Sequence, residues 1–230
     1  MIGVRFDHKA LNILCLGAHC DDIEIGCGGT ILNMLAERPE TKVHWVVLSS
    51  TPQRKEEAVA AAQVFLKDGG VRKVSISSFR DGFLPYLGSD VKDLFEELGK
   101  EISPDLIFTH YRNDRHQDHR LVSDLTWNTF RNHCILEYEI PKYDGDLGVP
   151  NFFVPLGDAL CHEKVDNILH LFPSQGGKPW FTSNTFLALA RLRGMEAGGG
   201  TEFAEAFYSR KLVYEHGRPC FNAENLARMS

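Results

Sequence analysis

Apolar and polar positions change period several times along this chain, and each change marks an element. Asn12 to Leu16 is a short apolar run, the pattern of a buried strand. Ile31, Leu32, Met34 and Leu35 then recur at helical spacing within Thr30 to Ala36. Lys42 to Leu48 is rich in β-branched residues and predicts a second strand, broken by Ser49-Ser50-Thr51-Pro52. The alanine-rich stretch Lys55 to Leu66 has high helix propensity, with Gly69-Gly70 as its stop. Lys73 to Ser78 alternates as a third strand. After a loop at Arg80-Asp81-Gly82, Ser89 to Ile102 has a helical pattern with Ser89 as N-cap. Asp105 to Thr109 is a fourth strand. The later chain is less regular: a strand over Cys134 to Ile140, a loop over Pro141 to Pro150, helices over Lys164 to Leu171 and Ser183 to Arg193, and a glycine turn at Gly198-Gly199-Gly200. Strand and helix alternate through the first half, which predicts an α/β fold with a mostly parallel sheet and helices on both faces.

The chain has 230 residues, enough for one large α/β domain over 1–230, of which about 141–230 is the less regular portion. With 43% hydrophobic and 24% charged residues it reads as a soluble globular protein. A formal charge of −6 without a basic run argues against a nucleic-acid surface. No apolar run is long enough to span a membrane, and the N-terminus has no signal-peptide core. Cys15, Cys20, Cys27, Cys134, Cys161 and Cys220 show no paired CxxC spacing and mostly sit in apolar runs, so reduced core thiols and a cytoplasmic location are expected. The apolar C-terminal half could supply the interface of a homo-oligomer.

Two polar knots interrupt this pattern. The first strand runs into Ala18-His19-Cys20-Asp21-Asp22, followed by Gly26, Gly28 and Gly29. The fourth strand leads to His116-Gln117-Asp118-His119. Both knots follow the carboxyl ends of parallel strands, so they share one rim of the sheet, where open α/β folds keep their sites. Hydrolytic zinc sites commonly use three nitrogen or oxygen ligands and leave one position open, and His19, Asp22 and His119 supply such a set. The adjacent carboxylates of Asp21 and Asp22 would repel each other, and a divalent cation relieves that. One of them can ligate while its neighbour faces the reacting water. Asn113 or Asp114 is expected to cap the helix that places His116 and His119 on one face. Asp118 points to another side and is suited to hold a histidine ring in one tautomer. The structural alternative for each knot taken alone is a capping aspartate and a hydrogen-bonded core histidine; their convergence on one rim argues against it. The glycines do not follow GxGxxG spacing, and no acidic residue closes the second strand, so a nucleotide cofactor is not expected. They are expected to let the backbone pass close to the metal.

The motifs Ala18-His19-Cys20-Asp21-Asp22-Ile23-Glu24-Ile25-Gly26-Cys27-Gly28-Gly29 and His116-Gln117-Asp118-His119 resemble those of the PIG-L/LmbE family of zinc-dependent N-deacetylases. Thr109-His110, Asn113-Asp114 and Phe203-Ala204-Glu205-Ala206-Phe207 are similar to further family stretches. The resemblance implies a Rossmann-like three-layer fold and zinc held by His19, Asp22 and His119. It implies Asp21 as general base, His116 as oxyanion stabiliser or acid, with Asp118 orienting it, and Arg54 and Asp81 as sugar contacts. It further implies removal of an acetyl group from an N-acetylated amino sugar, sugar nucleotide or glycoconjugate precursor. A zinc amidase acting on a non-sugar N-acyl compound is the nearest alternative, and a non-catalytic metal-binding module a more distant one. Cys20 stands where the family has proline, and Ile23 where it has its first glutamate. Cys20 is expected to be a neutral buried thiol, Glu205 a solvated or paired surface group, and Arg191 and Arg193 an exposed helix face.

Overall fold

The computed structural model describes residues 3–6, 10–67 and 72–213. Gly69, Gly70 and Cys220 lie outside these. Among the described residues no helix is long and apolar enough to cross a membrane. The strands are β1 (Asn12–Gly17), β2 (Lys42–Ser49), β3 (Arg72–Phe79), β4 (Leu106–His110), β5 (Cys134–Tyr138), β6 (Phe152–Leu156) and β7 (Phe203–Ser209). The helices are α1 (Asp22–Glu37), α2 (Pro52–Phe65), α3 (Gly88–Glu101), α4 (Gln117–Thr129), α5 (Asp158–Leu171) and α6 (Ser183–Ala197).

One seven-stranded sheet has the order β3-β2-β1-β4-β5-β7-β6, with parallel pairing from β3 through β5 and β7 antiparallel to both neighbours. The alternation along β1 explains the layers. Ile13 and Cys15 enter one core with Trp45, Phe65, Tyr138 and Phe207, under helices α1, α2 and α5. Leu14 and Leu16 enter the other with Val46, Phe95 and Val122, under α3 and α4. A central parallel strand buried on both faces must be apolar at consecutive positions, as β1 is. The chain proceeds outward from β1 to β3 and then returns across the sheet to β4. The ends of β1 and β4 therefore lie side by side at the point where strand order reverses.

Several elements differ from the pattern-based reading. Helix α1 begins at Asp22, and the three glycines lie inside it. Each glycine costs about 1 kcal/mol in a helix, and packing explains their presence. A Cβ on Gly26 would meet the Tyr138 ring at 2.2 Å, one on Gly28 would meet Phe65 at 2.6 Å, and one on Gly29 would meet Leu156 at 2.7 Å. These glycines seat the helix on its neighbours; they do not pass the backbone beside a metal. Ser89 is not a cap, because the 3-10 turn Leu84–Leu87 feeds directly into α3 at Gly88. Strand β6 carries Pro155, an exposed strand breaker tolerated at the sheet edge, and this hid the strand from the pattern.

Two side chains expected on the surface are buried. Glu205, on β7, pairs with Lys164 and accepts from the backbone amides of Gly29 at 2.8 Å and Thr30 at 2.7 Å. Arg193 forms a two-pronged pair with Glu139 at 2.9 and 2.8 Å. Arg191 does lie at the surface, bonded to the Glu202 carbonyl.

Replacing Gly26 with alanine should destabilise the fold by about 1–3 kcal/mol through overpacking against Tyr138. The Gly88→Ala change meets nothing within 4 Å and should leave stability unchanged or raise it by about 0.4–1 kcal/mol. Urea unfolding of the two variants measures the difference, and equal midpoints would remove the packing explanation.

Candidate metal centre

Strand β1 delivers the first knot. Beyond Gly17, the Ala18 amide donates to His110 Nε2 at 2.9 Å, tying the ends of β1 and β4 together. The His19 amide donates to Asp22 Oδ2 at 2.6 Å, which folds the chain tightly into α1. Strand β4 ends at His110, and a short turn leads to His116, the N-cap of α4. Its Nδ1 accepts from the Asp118 amide at 3.3 Å, and its own amide donates to Asp114 Oδ1 at 2.7 Å. Asp114 thus supports the cap but does not occupy it, and the expected Asn113 or Asp114 cap is replaced by His116.

His19, Asp22 and His119 come together as a triangle. His19 Nδ1 is 3.1 Å from His119 Nε2 and 3.3 Å from Asp22 Oδ2, and His119 Nε2 is 3.5 Å from Asp22 Oδ1. Ligands about 2.0–2.1 Å from a tetrahedral zinc are separated by roughly 3.3 Å, and these separations are of that size, with the two Asp22 distances made by different carboxylate oxygens. The donor sets that converge most closely are His19–His116–His119, Asp22–His110–His119 and His19–Asp81–Asp118, which overlap the triangle without reproducing it. The triangle shares two members with each of the first two sets. Behind it, Asp114 Oδ2 lies 2.8 Å from His119 Nδ1, the arrangement that turns the other ring nitrogen toward a metal. Lys142 anchors Asp114 in turn, at 2.9 Å.

The two neighbouring aspartates have opposite electrostatic fates. Burial raises the Asp21 pKa, and Arg54, whose Nη2 donates to Asp21 Oδ1 at 2.9 Å, offsets this only in part. Burial pushes Asp22 up too, yet His119, His110 and His19 around it hold it well below the usual carboxylate range. Burial also pushes His119 down to about 3, helped by His110. For His19 burial is outweighed by Asp22, Asp118 and Asp81, which hold its pKa well above the usual value. His116 is lowered by burial and by the charge of His19, against the pull of Asp118.

Asp118 is fully buried, and its carboxylate does more than face a histidine ring. It accepts from the amides of Gly82 at 2.7 Å and Leu84 at 3.1 Å and lies 3.3 Å from His19 Nε2. Its contact with His116 is through its backbone amide. Asp81, on the loop so anchored, lies 3.1 Å from His19 Nε2, and that hydrogen bond draws its pKa down to about 2. Arg54 and Asp81 both line a cleft of about 300 Å³ that also holds His19, Asp21, Asp22, His116 and His119. Cys20 lines it as well, its thiol pushed up to about 12 by burial and so neutral.

The sequence places His110 only within a family-like stretch, without a role, and does not single out Lys142, Gln175, Lys178 and Trp180, which also line the cleft. His110 sits at a strand end like His19 and had a visible signal. The others arrive through tertiary folding of a region without periodicity.

Asp114→Asn should weaken metal binding about 10–100-fold, the usual cost of losing a partner behind a ligating histidine. Competition against a chromophoric chelator reads this directly, and unchanged affinity would show that His119 is oriented without Asp114.

A conserved protein of Thermus thermophilus has a similar fold, with a TM-score of 0.71 and 23% identity over 91% of this chain and 100% of its own. The N,N'-diacetylchitobiose deacetylase of Pyrococcus horikoshii has a TM-score of 0.62 and 21% identity, covering 89% and 84%. The 4-carboxy-2-hydroxymuconate hydratase GalB of Pseudomonas putida has a TM-score of 0.70 and 16% identity, covering 92% and 100%. At these identities the likeness is one of fold. The PIG-L family model, described as GlcNAc-PI de-N-acetylase, matches residues 14–130, over half of the chain and both polar knots, and the chain belongs to that family.

Proposed function

We propose that this protein is a zinc-dependent hydrolase that removes the acetyl group from an N-acetylated amino sugar, sugar nucleotide or glycoconjugate precursor. The observation that carries the reading is the His19–Asp22–His119 triangle with the uncommitted carboxylate oxygen of Asp21 beside it, within a family described as a de-N-acetylase. A zinc ion held by the three ligands supplies a Lewis acid and lowers the pKa of water from about 15.7 toward about 7.

The residues of the chain then divide the proton work. Arg54 occupies Asp21 Oδ1 and fixes the rotamer, which leaves Oδ2 to take the proton of the attacking water. The raised pKa of Asp21 beside the depressed Asp22 suits one carboxylate to proton transfer and the other to ligation. With His116 Nδ1 accepting from the Asp118 amide, the neutral ring keeps its proton on Nε2, and that N–H is the donor for the oxyanion. Asp118 holds the loop that carries Asp81, and Arg54 and Asp81 contact the sugar. As the C–N bond breaks, the proton held by Asp21 passes to the leaving nitrogen, giving acetate and a free amine.

Acetate release from a panel of N-acetyl sugars and sugar nucleotides, before and after metal removal and with zinc restored, tests the reading. Activity should vanish with the metal and return with zinc. Asp21→Asn should lower kcat by about 10²–10⁴-fold with the metal still bound. Full activity in that variant would sink the assignment of the base, while hydrolysis confined to non-sugar amides would favour the amidase alternative.

A further inference from the structure

Residues 173–180, between α5 and α6, form part of the cleft wall and lie outside the segment that the family model matches. This wall is fixed in place. Glu57, one turn along α2 from Arg54, accepts from the Ser174 amide at 3.0 Å and its hydroxyl at 2.6 Å. The Gln175 amide group donates to Ser174 Oγ at 3.0 Å. Gln175 Oε1, on a side chain only 5% exposed and lining the cleft, has no partner among the described residues. A buried acceptor left unpaired is costly, and a ligand donor relieves that cost.

Lys178 makes no ion pair among the described residues, whereas the other two cations of the cleft are taken: Arg54 by Asp21, Lys142 by Asp114 and Asp146. Its ammonium lies 5.4 Å from the centre of the Trp180 ring and close enough to Asp21 and Asp81 to act on their charge. Trp180 is itself held edge-on by Phe181 and Phe186, so its ring is a rigid surface at the cleft. An unpaired acceptor, an unpaired cation and a fixed aromatic ring on one wall make a binding subsite rather than a second set of reacting groups.

We propose that Gln175, Lys178 and Trp180 recognise an anionic group, phosphate or carboxylate, on the amino sugar, with Lys178 meeting the anion, Gln175 a neighbouring hydroxyl and Trp180 the apolar face of the ring. The identity of the sugar rests on the deacetylase reading; the recognition of the anion does not.

Calorimetric titration separates the two. Glucosamine 1-phosphate, glucosamine 6-phosphate, muramic acid and glucosamine are titrated into the full chain and into Lys178→Gln and Lys178→Arg. At least one anionic sugar should bind about tenfold or more tightly than glucosamine, as a charge-assisted hydrogen bond provides. The phosphate and carboxylate arms show which anion is preferred. In Lys178→Gln the ratio of anionic to neutral affinity should fall to near one, and Lys178→Arg should keep most of it. With the matching N-acetyl sugars, the loss in Lys178→Gln should appear in KM for the anionic substrate rather than in kcat. The proposal is overturned if no sugar binds, if all four bind alike, or if Lys178→Gln weakens neutral and anionic sugars equally, as a lysine that only balances Asp81 would. An anion preference without acetate release would leave the subsite standing and remove the deacetylase reading.

Discussion

The site depends on how closely α1 is pressed onto the sheet, because Asp22 is the first residue of that helix and only a short turn separates it from β1. Gly26, Gly28 and Gly29 allow the approach, since any side chain there would collide with Tyr138, Phe65 or Leu156. The buried Lys164–Glu205 pair completes it from the other side. Glu205 accepts from two amides of the helix, while Lys164 donates to the Ile25 carbonyl at 2.7 Å. Burying two charges is costly and is compensated only when the remaining donors and acceptors are satisfied. Here the helix backbone satisfies them. A side chain at Gly29 would also crowd Glu205 Oε1 at 3.0 Å. The glycines and the ion pair are therefore one device, which holds the helix start where its carboxylate meets two histidines.

Polar contacts then tie the surrounding elements to that helix start. Arg54 joins α2 to Asp21, Asp118 joins the loop around Gly82 to α4 and to His19, and Asp114 joins the α4 cap to Lys142. Each contact is made by a charged group that is mostly buried, where electrostatic interactions are less screened than at the surface. The same groups that fix geometry also set the pKa values, so the raised proton affinity of Asp21 and the lowered one of Asp22 follow from the packing of α1, α2 and α4.

Much of this was legible in the sequence. The apolar run of β1, the β-branched β2 and the short β4 carry their own signals, and two polar knots at strand ends point to one rim. What escaped the pattern did so for definite reasons. The glycines of α1 read as a close approach of backbone to metal ahead of the helix because propensity counts only local cost, while their packing against Tyr138 and Phe65 is long-range. Glu205 and Arg193 read as surface residues because a charge is buried only with its partner, and Lys164 and Glu139 are distant in sequence. Asp114 lies near the second knot, but its bond to His119 depends on the turn before α4. Gln175, Lys178 and Trp180 belong to a stretch with no period at all.

That division bears on how such a fold serves different reactions. The structurally similar Pyrococcus horikoshii protein is a deacetylase and the Pseudomonas putida protein a hydratase, so the shared frame does not by itself choose the chemistry. In this chain the groups suited to activating water come from the ends of β1 and β4, within the first 130 residues. The wall suited to choosing the substrate comes from the chain beyond β5. The first depends on strand ends that the sheet holds rigid, and the second on a connection between helices that is pinned by Phe172 and Phe181 in the core and by the Glu57–Ser174 bonds. The two sides of the cleft are therefore built from separate stretches of chain, and the connection between α5 and α6 lies beyond the residues that the family model matches.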